Sequence, residues 1–222
     1  MRKRWLSLYL CARWLIGYNA AIVNPRKFGN LVVHPGEKEM TRKLLLMRHA
    51  KSDWKDVNLR DKERPLNARG RGTAPIMASW LVEHQHLPNL VLCSSAIRTQ
   101  QTLDLMIHQW TAIQMLTPSV VLPEIYIDDL LYLASDSAIL SFARAATTNG
   151  EARQCVRVLG HNPGMEKLAS KLSGDDITMP TGAIAILASD SVDEDWPKDW
   201  SDANMWKWRG LVKPRELGTE TV

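Results

Sequence analysis

Cysteine is scarce in this chain. Three occur in 222 residues, Cys11, Cys93 and Cys155, an odd number at unrelated spacings, which excludes a disulfide-stapled framework and fits a reducing compartment. Long apolar runs are missing too, since none reaches the roughly 18 residues of a membrane span. The nearest, Trp5 to Val23, is broken by Arg13, and a charge at the centre of a span costs about 2.5–3.5 kcal/mol. Internal repeats and low-complexity tracts are absent, so neither a repeat array nor a disordered polar chain is expected. With 45% hydrophobic and 23% charged residues, the composition is that of a globular protein.

The formal charge of +4 invites a nucleic-acid reading, but the excess sits at the front. Residues 1–40 hold seven Lys or Arg (Arg2, Lys3, Arg4, Arg13, Arg26, Lys27, Lys38) against Glu37 and Glu39, leaving the rest of the chain at −1. A basic nucleic-acid-binding body is therefore excluded. Arg2-Lys3-Arg4 followed by apolar residues resembles a signal peptide, yet Arg13 splits the apolar stretch and no A-x-A site follows. We expect a basic N-terminal extension over 1–40 that is dispensable, with the functional chain starting near Met40 and one domain over 41–222. A body of that size buries about 70% of the surface its unfolded chain exposes and folds without staples.

Within the body, short apolar runs alternate with longer amphipathic segments, the pattern of strands and crossover helices in an open α/β sheet. Strands are expected at 43–48, 89–93, 119–122, 155–160 and 183–188. Helices are expected from Arg69 to Gln85, with Pro75 delaying the regular part to near Thr73. Further helices follow Ser94-Ser95 as N-cap residues to about Thr111, run from Asp136 to Thr147, and run from Asn162 (cap) and Pro163 (N1) to Leu172. Met205 to Arg209 alternates like an edge strand, and the acidic segment Ser189 to Asp202 reads as a surface excursion.

Ligands of an open parallel sheet bind beyond the carboxyl ends of its strands. The first strand ends in Arg48-His49, the second in Ser94-Ser95 with Arg98 one helical turn on, and the fourth in Gly160-His161. Two histidines and two arginines are thus expected at one sheet edge, beside a helix N-terminus. Arginine forks and free helical N–H groups suit a phosphoryl group, a neutral imidazole is a nucleophile that needs no metal, and a second, protonated histidine would add positive charge. His84 and His86, at i and i+2, share no helix face and make a poor metal pair, and His34 and His108 have no evident partner. Cys93 and Arg98 have the spacing C-x4-R, one residue short of the C-x5-R loop of cysteine phosphatases, so Cys93 reads as a buried strand residue.

Leu46-Met-Arg-His-Ala-Lys-Ser52, Arg64-Pro-Leu-Asn-Ala-Arg-Gly70, Ser94-Ser-Ala-Ile-Arg-Thr-Gln-Gln-Thr102 and Leu159-Gly-His-Asn-Pro-Gly164 resemble, in order, the histidine phosphatase superfamily and its small SixA-type phosphohistidine phosphatase branch. The resemblance spans about Lys43 to Leu187 and leaves residues 1–40 without a counterpart. It implies a three-layer α/β/α sandwich with a mostly parallel central sheet, of the phosphoglycerate mutase-like kind. It also implies a two-step reaction: His49 attacks phosphorus, Arg48 and Arg98 bind the phosphoryl oxygens, His161 stabilises the transition state, and water hydrolyses the phospho-enzyme. Ser52 is a further candidate phosphate ligand. Arg-His-Ala stands where much of the superfamily has Arg-His-Gly, as in many SixA-type members.

Three carboxylates compete as general acid, Glu124, Asp128 and Asp129; Asp129 aligns best with the branch, and none at all remains open. An imidazole leaves more readily than an alkoxide, so the lack of a clear general acid favours phosphohistidine over sugar phosphates. The short span from Thr111 to Glu151 leaves little room for a helical lid, which suits a phosphohistidine displayed on another protein. The expectation is a metal-independent phosphohistidine phosphatase without cofactor, cytoplasmic, with a phosphorylated protein as substrate and neither nucleic acid nor membrane as partner. The alternatives are a small-molecule phosphomonoesterase or mutase on the same fold, and a non-catalytic phosphate-binding interaction domain.

Overall fold

The computed structural model describes residues 42–147, 153–189, 196–197 and 199–217. The expected N-terminal extension lies outside the described residues. Six strands form one sheet in the order β3-β2-β4-β1-β5-β6: β1 Lys43–Arg48, β2 Leu90–Ser94, β3 Glu124–Asp128, β4 Cys155–Gly160, β5 Ile184–Ser189 and β6 Trp206–Val212. Strands β1 to β4 pair in parallel, and β5 is antiparallel to both β1 and β6. The helices are α1 Ala68–Glu83, α2 Ile97–Leu116, α3 Asp136–Thr147, α4 Gly164–Ser173 and the short α5 Pro214–Leu217.

Period-2 alternation explains the layering. Leu45, Met47, Val91 and Cys93 point to one face, where they pack with Met77 and Leu81 of α1 and Met106 and Trp110 of α2. Their neighbours Leu44, Leu46, Leu90 and Leu92 point to the other, against Ile139 and Leu140 of α3 and Met165 and Leu168 of α4. With both faces covered, β1 and β2 read as near-continuous apolar runs, and β4 is buried throughout with Arg157 as its one charged residue. The result is the expected three-layer sandwich with a mostly parallel sheet.

Four local expectations are corrected. The third strand lies at Glu124–Asp128 rather than 119–122. Pro118 and Pro123 bracket the apolar run, whose Val120 is buried in the α1/α2 core. The true strand is a half-exposed edge whose alternation hides it from an apolar-run criterion. Helix α1 is regular from Ala68 through Pro75, capped by the Asn67 side chain, which accepts from the Gly70 N–H at 2.9 Å. An interior proline costs about 3 kcal/mol, and burial of Ala74, Met77, Ala78 and Leu81 outweighs it. The caps of α2 and α4 are Ala96 and Pro163, with no side-chain cap bond, because the polar residues expected there, Ser94 and Asn162, are engaged elsewhere. Finally, the end of the 189–202 excursion is anchored. Trp200 is buried, its ring lies 5.3 Å from that of Trp206, and its carbonyl accepts from the Trp206 indole N–H at 3.1 Å.

Helix α1 contains an internal comparison. A Cβ at Gly70 would collide with the Lys51 carbonyl oxygen and lie 2.9 Å from its nitrogen, whereas one at Gly72 meets nothing within 4 Å. Overpacking of this kind costs about 1–3 kcal/mol, while Gly→Ala in an open helix position gains about 0.5–1 kcal/mol. Urea unfolding should therefore show Gly70→Ala destabilised and Gly72→Ala stabilised.

Candidate active site

The register sets three strand ends level: Arg48 of β1 pairs with Gly160 of β4, and Cys93 of β2 with Leu159 of β4. The residues that follow, His49, Ser94 to Arg98, and His161, therefore meet at one edge. Of these, His49, Arg98 and His161 line a cavity of about 330 Å³ together with Arg48, Lys51, Ser52, Trp54, Asp61, Leu133, Asn162 and Thr181. The expected quartet Arg48, His49, Arg98 and His161 is thus brought together, and Ser52 sits on the wall.

His49 is fixed through its backbone. Its N–H donates to the Gly160 carbonyl at 3.1 Å, and its carbonyl accepts from Gly182 N–H at 3.0 Å. The second bond places Gly182 at φ +82, a left-handed conformation that glycine adopts without strain. The ring is held by Nδ1 against the Ala50 carbonyl at 2.7 Å. With the proton on Nδ1, Nε2 carries the lone pair toward the cavity. Thr102 supports this turn, accepting from Ala50 N–H at 3.2 Å and donating to the Arg98 carbonyl at 2.7 Å.

Arg98 is almost wholly buried. Its Nε donates to His49 Nε2 at 3.2 Å, and its Nη2 donates to His161 Nδ1 at 3.2 Å and to Asp61 Oδ2 at 2.9 Å. Nη1 reaches the Asp61 carbonyl at 2.6 Å. With Nδ1 accepting, His161 carries its proton on Nε2, 2.8 Å from Ser94 Oγ. The two imidazole centroids are 5.2 Å apart. Arg48 is anchored separately. Its Nη1 donates to the Met179 carbonyl at 2.9 Å, which also accepts from Asn162 Nδ2, and Glu166 Oε2 accepts from Asn162 Nδ2 and the Met179 N–H at 2.9 and 2.7 Å.

Burial, with Arg98 and Arg48 nearby, lowers His49 to a pKa of about 4, although its bond to Ala50 and the Asp61 charge oppose the shift. Burial, His49 and Arg98 lower His161 to about 3, again against Asp61. Both rings are neutral at pH 7 in the unliganded site. The arginines already supply the positive charge.

Asp129 is not brought to the cavity. Its side chain is 76% exposed and bonded to Lys62 Nζ at 2.7 Å. Asp128 accepts from Leu130 N–H, and Glu124 pairs with Arg153, so none of the three expected acids lines the cavity. The carboxylate that does is Asp61, which no motif indicated. It lies in the charged loop between β1 and α1, and besides Arg98 it accepts from the Tyr132 hydroxyl at 2.8 Å. Its partial burial pushes its pKa up, but the bonds from Tyr132 and Arg98 outweigh this and keep it below the usual carboxylate range. Tyr132, in turn, sets its ring edge-on to His161 at 5.5 Å. Cys93 is fully buried, and desolvation raises its thiol to about 12, so it is no nucleophile. Among the described residues no three His, Cys, Asp or Glu side chains gather as a metal site, and no helix is long and apolar enough to cross a membrane.

The family model of the histidine phosphatase superfamily (branch 1) matches residues 44–148. An uncharacterized chloroplastic protein of Arabidopsis thaliana is 33% identical, with 79% of each chain covered. The chain belongs to the histidine phosphatase superfamily. It is a phosphatase by that membership, and its structural neighbours are SixA proteins. One from Agrobacterium tumefaciens, assigned as a phosphohistidine phosphatase, superposes with a TM-score of 0.61 at 27% identity, covering 78% of this chain and 99% of that one. A protein histidine phosphatase SixA solved with tungstate shares the fold at a TM-score of 0.61 and 22% identity, covering 79% and 99%. The sandwich is thus the phosphoglycerate mutase-like fold of histidine phosphatases.

Two outcomes follow for this histidine phosphatase. Removing the charge that holds Arg98 should matter and removing the exposed one should not: Asp61→Asn should lower kcat/KM by about ten- to a hundredfold, in line with loss of a charged hydrogen bond of about 1.5–3 kcal/mol, and Asp129→Asn should stay within about twofold of wild type, since exposed pairs contribute little. The pH dependence has a fixed sign. In the unfolded chain His49 and His161 bind protons below about 6.5, in the folded one only near 4 and 3. The unfolded state therefore binds more protons across that window, and stability falls as pH drops from 6.5 toward 4. Urea midpoints at pH 7 and pH 4.5 measure it.

Proposed function

We propose that this phosphatase hydrolyses phosphohistidine carried on another protein, through a phosphohistidine intermediate at His49. The observation that carries the reading is the state of the acid: Asp61 is the one carboxylate lining the cavity among the described residues, and it is tied to Arg98 and Tyr132 and held ionised. A site without a poised carboxylic acid favours a leaving group that needs little proton assistance, and imidazole is one. Among the described residues, the helix that could roof the site contributes nothing to the cavity wall. Helix α3, the element between β3 and β4, packs against α4 and the sheet rather than over the cavity, which suits a side chain presented by a partner.

In the first step the hydrogen bond of the Arg98 Nε–H passes from His49 Nε2 to a phosphoryl oxygen, the freed Nε2 lone pair attacks phosphorus, the substrate P–N bond breaks, and its electron pair leaves on the imidazole nitrogen, which takes a proton from water. Arg48 and Arg98 hold the equatorial oxygens, with Ser52 as a further donor at the wall. The incoming dianion favours the charged form of His161, which then adds a donor. In the second step water attacks phosphorus, the P–Nε2 bond breaks, and its electron pair returns to His49, releasing inorganic phosphate. The groups named suffice without a metal or cofactor. A reducing compartment, cytoplasmic in the simplest case, agrees with Cys93 and Cys155 both being free thiols.

Turnover of a phosphohistidine protein should exceed that of phosphoglycerate and p-nitrophenyl phosphate. Acid-quenched wild type should carry acid-labile phosphate that His49→Ala lacks, and His49→Ala should lose at least about a thousandfold in rate, as expected for a covalent nucleophile. Preference for phosphoglycerate would overturn the substrate assignment.

A further inference from the structure

Trp54 is an exposed aromatic in an unusual setting. It is 61% exposed yet lines the catalytic cavity, and it is held twice: its indole N–H donates to Ser52 Oγ at 3.1 Å, and the Arg64 guanidinium lies over its ring, 3.9 Å from the centroid. A tryptophan that merely fills space is buried. This one is fixed by its edge and by one face, and the surface it leaves free is at the mouth of the site. Leu133 meets the same cavity from a different loop. It is 51% exposed with φ +49, a left-handed backbone that a branched residue adopts only under constraint. Two loops thus bring apolar surface to a cavity whose floor is polar and cationic.

We infer that Trp54 is a specificity residue, its indole receiving the flat leaving ring of the substrate while the phosphoryl group sits among Arg48, His49 and Arg98. This rests on the phosphohistidine reading. A stacked platform orients the scissile P–N bond toward His49 Nε2 and binds the imidazole more than the phosphoryl group. It acts on ring-bearing substrates and has little to hold on a P–N compound without a ring. Because Arg64 occupies one ring face and Ser52 the N–H, the indole is ordered before substrate arrives, and little rotamer freedom is lost on binding.

The test compares phosphohistidine with phosphoramidate, which has the same P–N bond and no ring. In Trp54→Ala the ratio of kcat/KM for phosphohistidine over phosphoramidate should fall about two- to tenfold, the range of aromatic pairing energies, chiefly through KM. Trp54→Phe, which keeps a ring but no N–H, should restore most of the ratio. An unchanged ratio in Trp54→Ala, with both substrates slowed alike or neither affected, overturns the platform, as does failure of Trp54→Phe to rescue. Wild type that turns over phosphoramidate but not phosphohistidine overturns the substrate reading itself, a result distinct from an unchanged ratio.

Discussion

One buried guanidinium organises this site. Arg98 donates at once to His49 Nε2, His161 Nδ1 and both the backbone and the side chain of Asp61. An arginine has donors only, so it tolerates the two rings next to it only if each presents a lone pair. These donations therefore fix both tautomers and, with burial, hold both histidines neutral. The tautomer of His49 and the burial of Arg98 are two sides of one constraint. Asp61 completes it, because a buried cation without a counter-charge would be unstable.

The sheet makes that constraint possible. Strands β1 and β2 flank β4, and their registers end the three strands together. Since both faces carry helices, β1, β2 and β4 are buried on both sides, and a slip by one residue would swap every side chain to the opposite layer and break its packing there. A rigid edge of this kind positions the backbone of His49 and His161. The side chains are then steered by groups behind them: Thr102 and Gly182 for His49, Ser94 for His161, and Glu166 with Asn162 and Met179 for Arg48.

The loops differ in kind. Asp61, Trp54 and Leu133 reach the cavity, and Tyr132 reaches Asp61, from the segments after β1 and β3, where no periodicity links a residue to its neighbours in space. Asp129 and Asp61 are both acids in polar surroundings, and nothing local distinguishes them. The contact of Asp61 with Arg98, 37 residues away, does. The same holds for β3, whose ladder with β2 selects Glu124–Asp128 over the more apolar 119–122.

The sequence alone determined the layered α/β architecture, five of the six strands, and the Arg48, His49, Arg98 and His161 quartet, because each rests on a local signal: an apolar run, a period-2 alternation, a breaker, or a strand end followed by a helix. Tertiary structure decided what those residues are bonded to. It made His161 neutral, moved the carboxylate from Asp129 to Asp61, turned Ser94 from a helix cap into a histidine partner, and brought Trp54 to the mouth. Protonation and hydrogen bonding depend on burial and on groups distant in the chain, and only the folded packing supplies either.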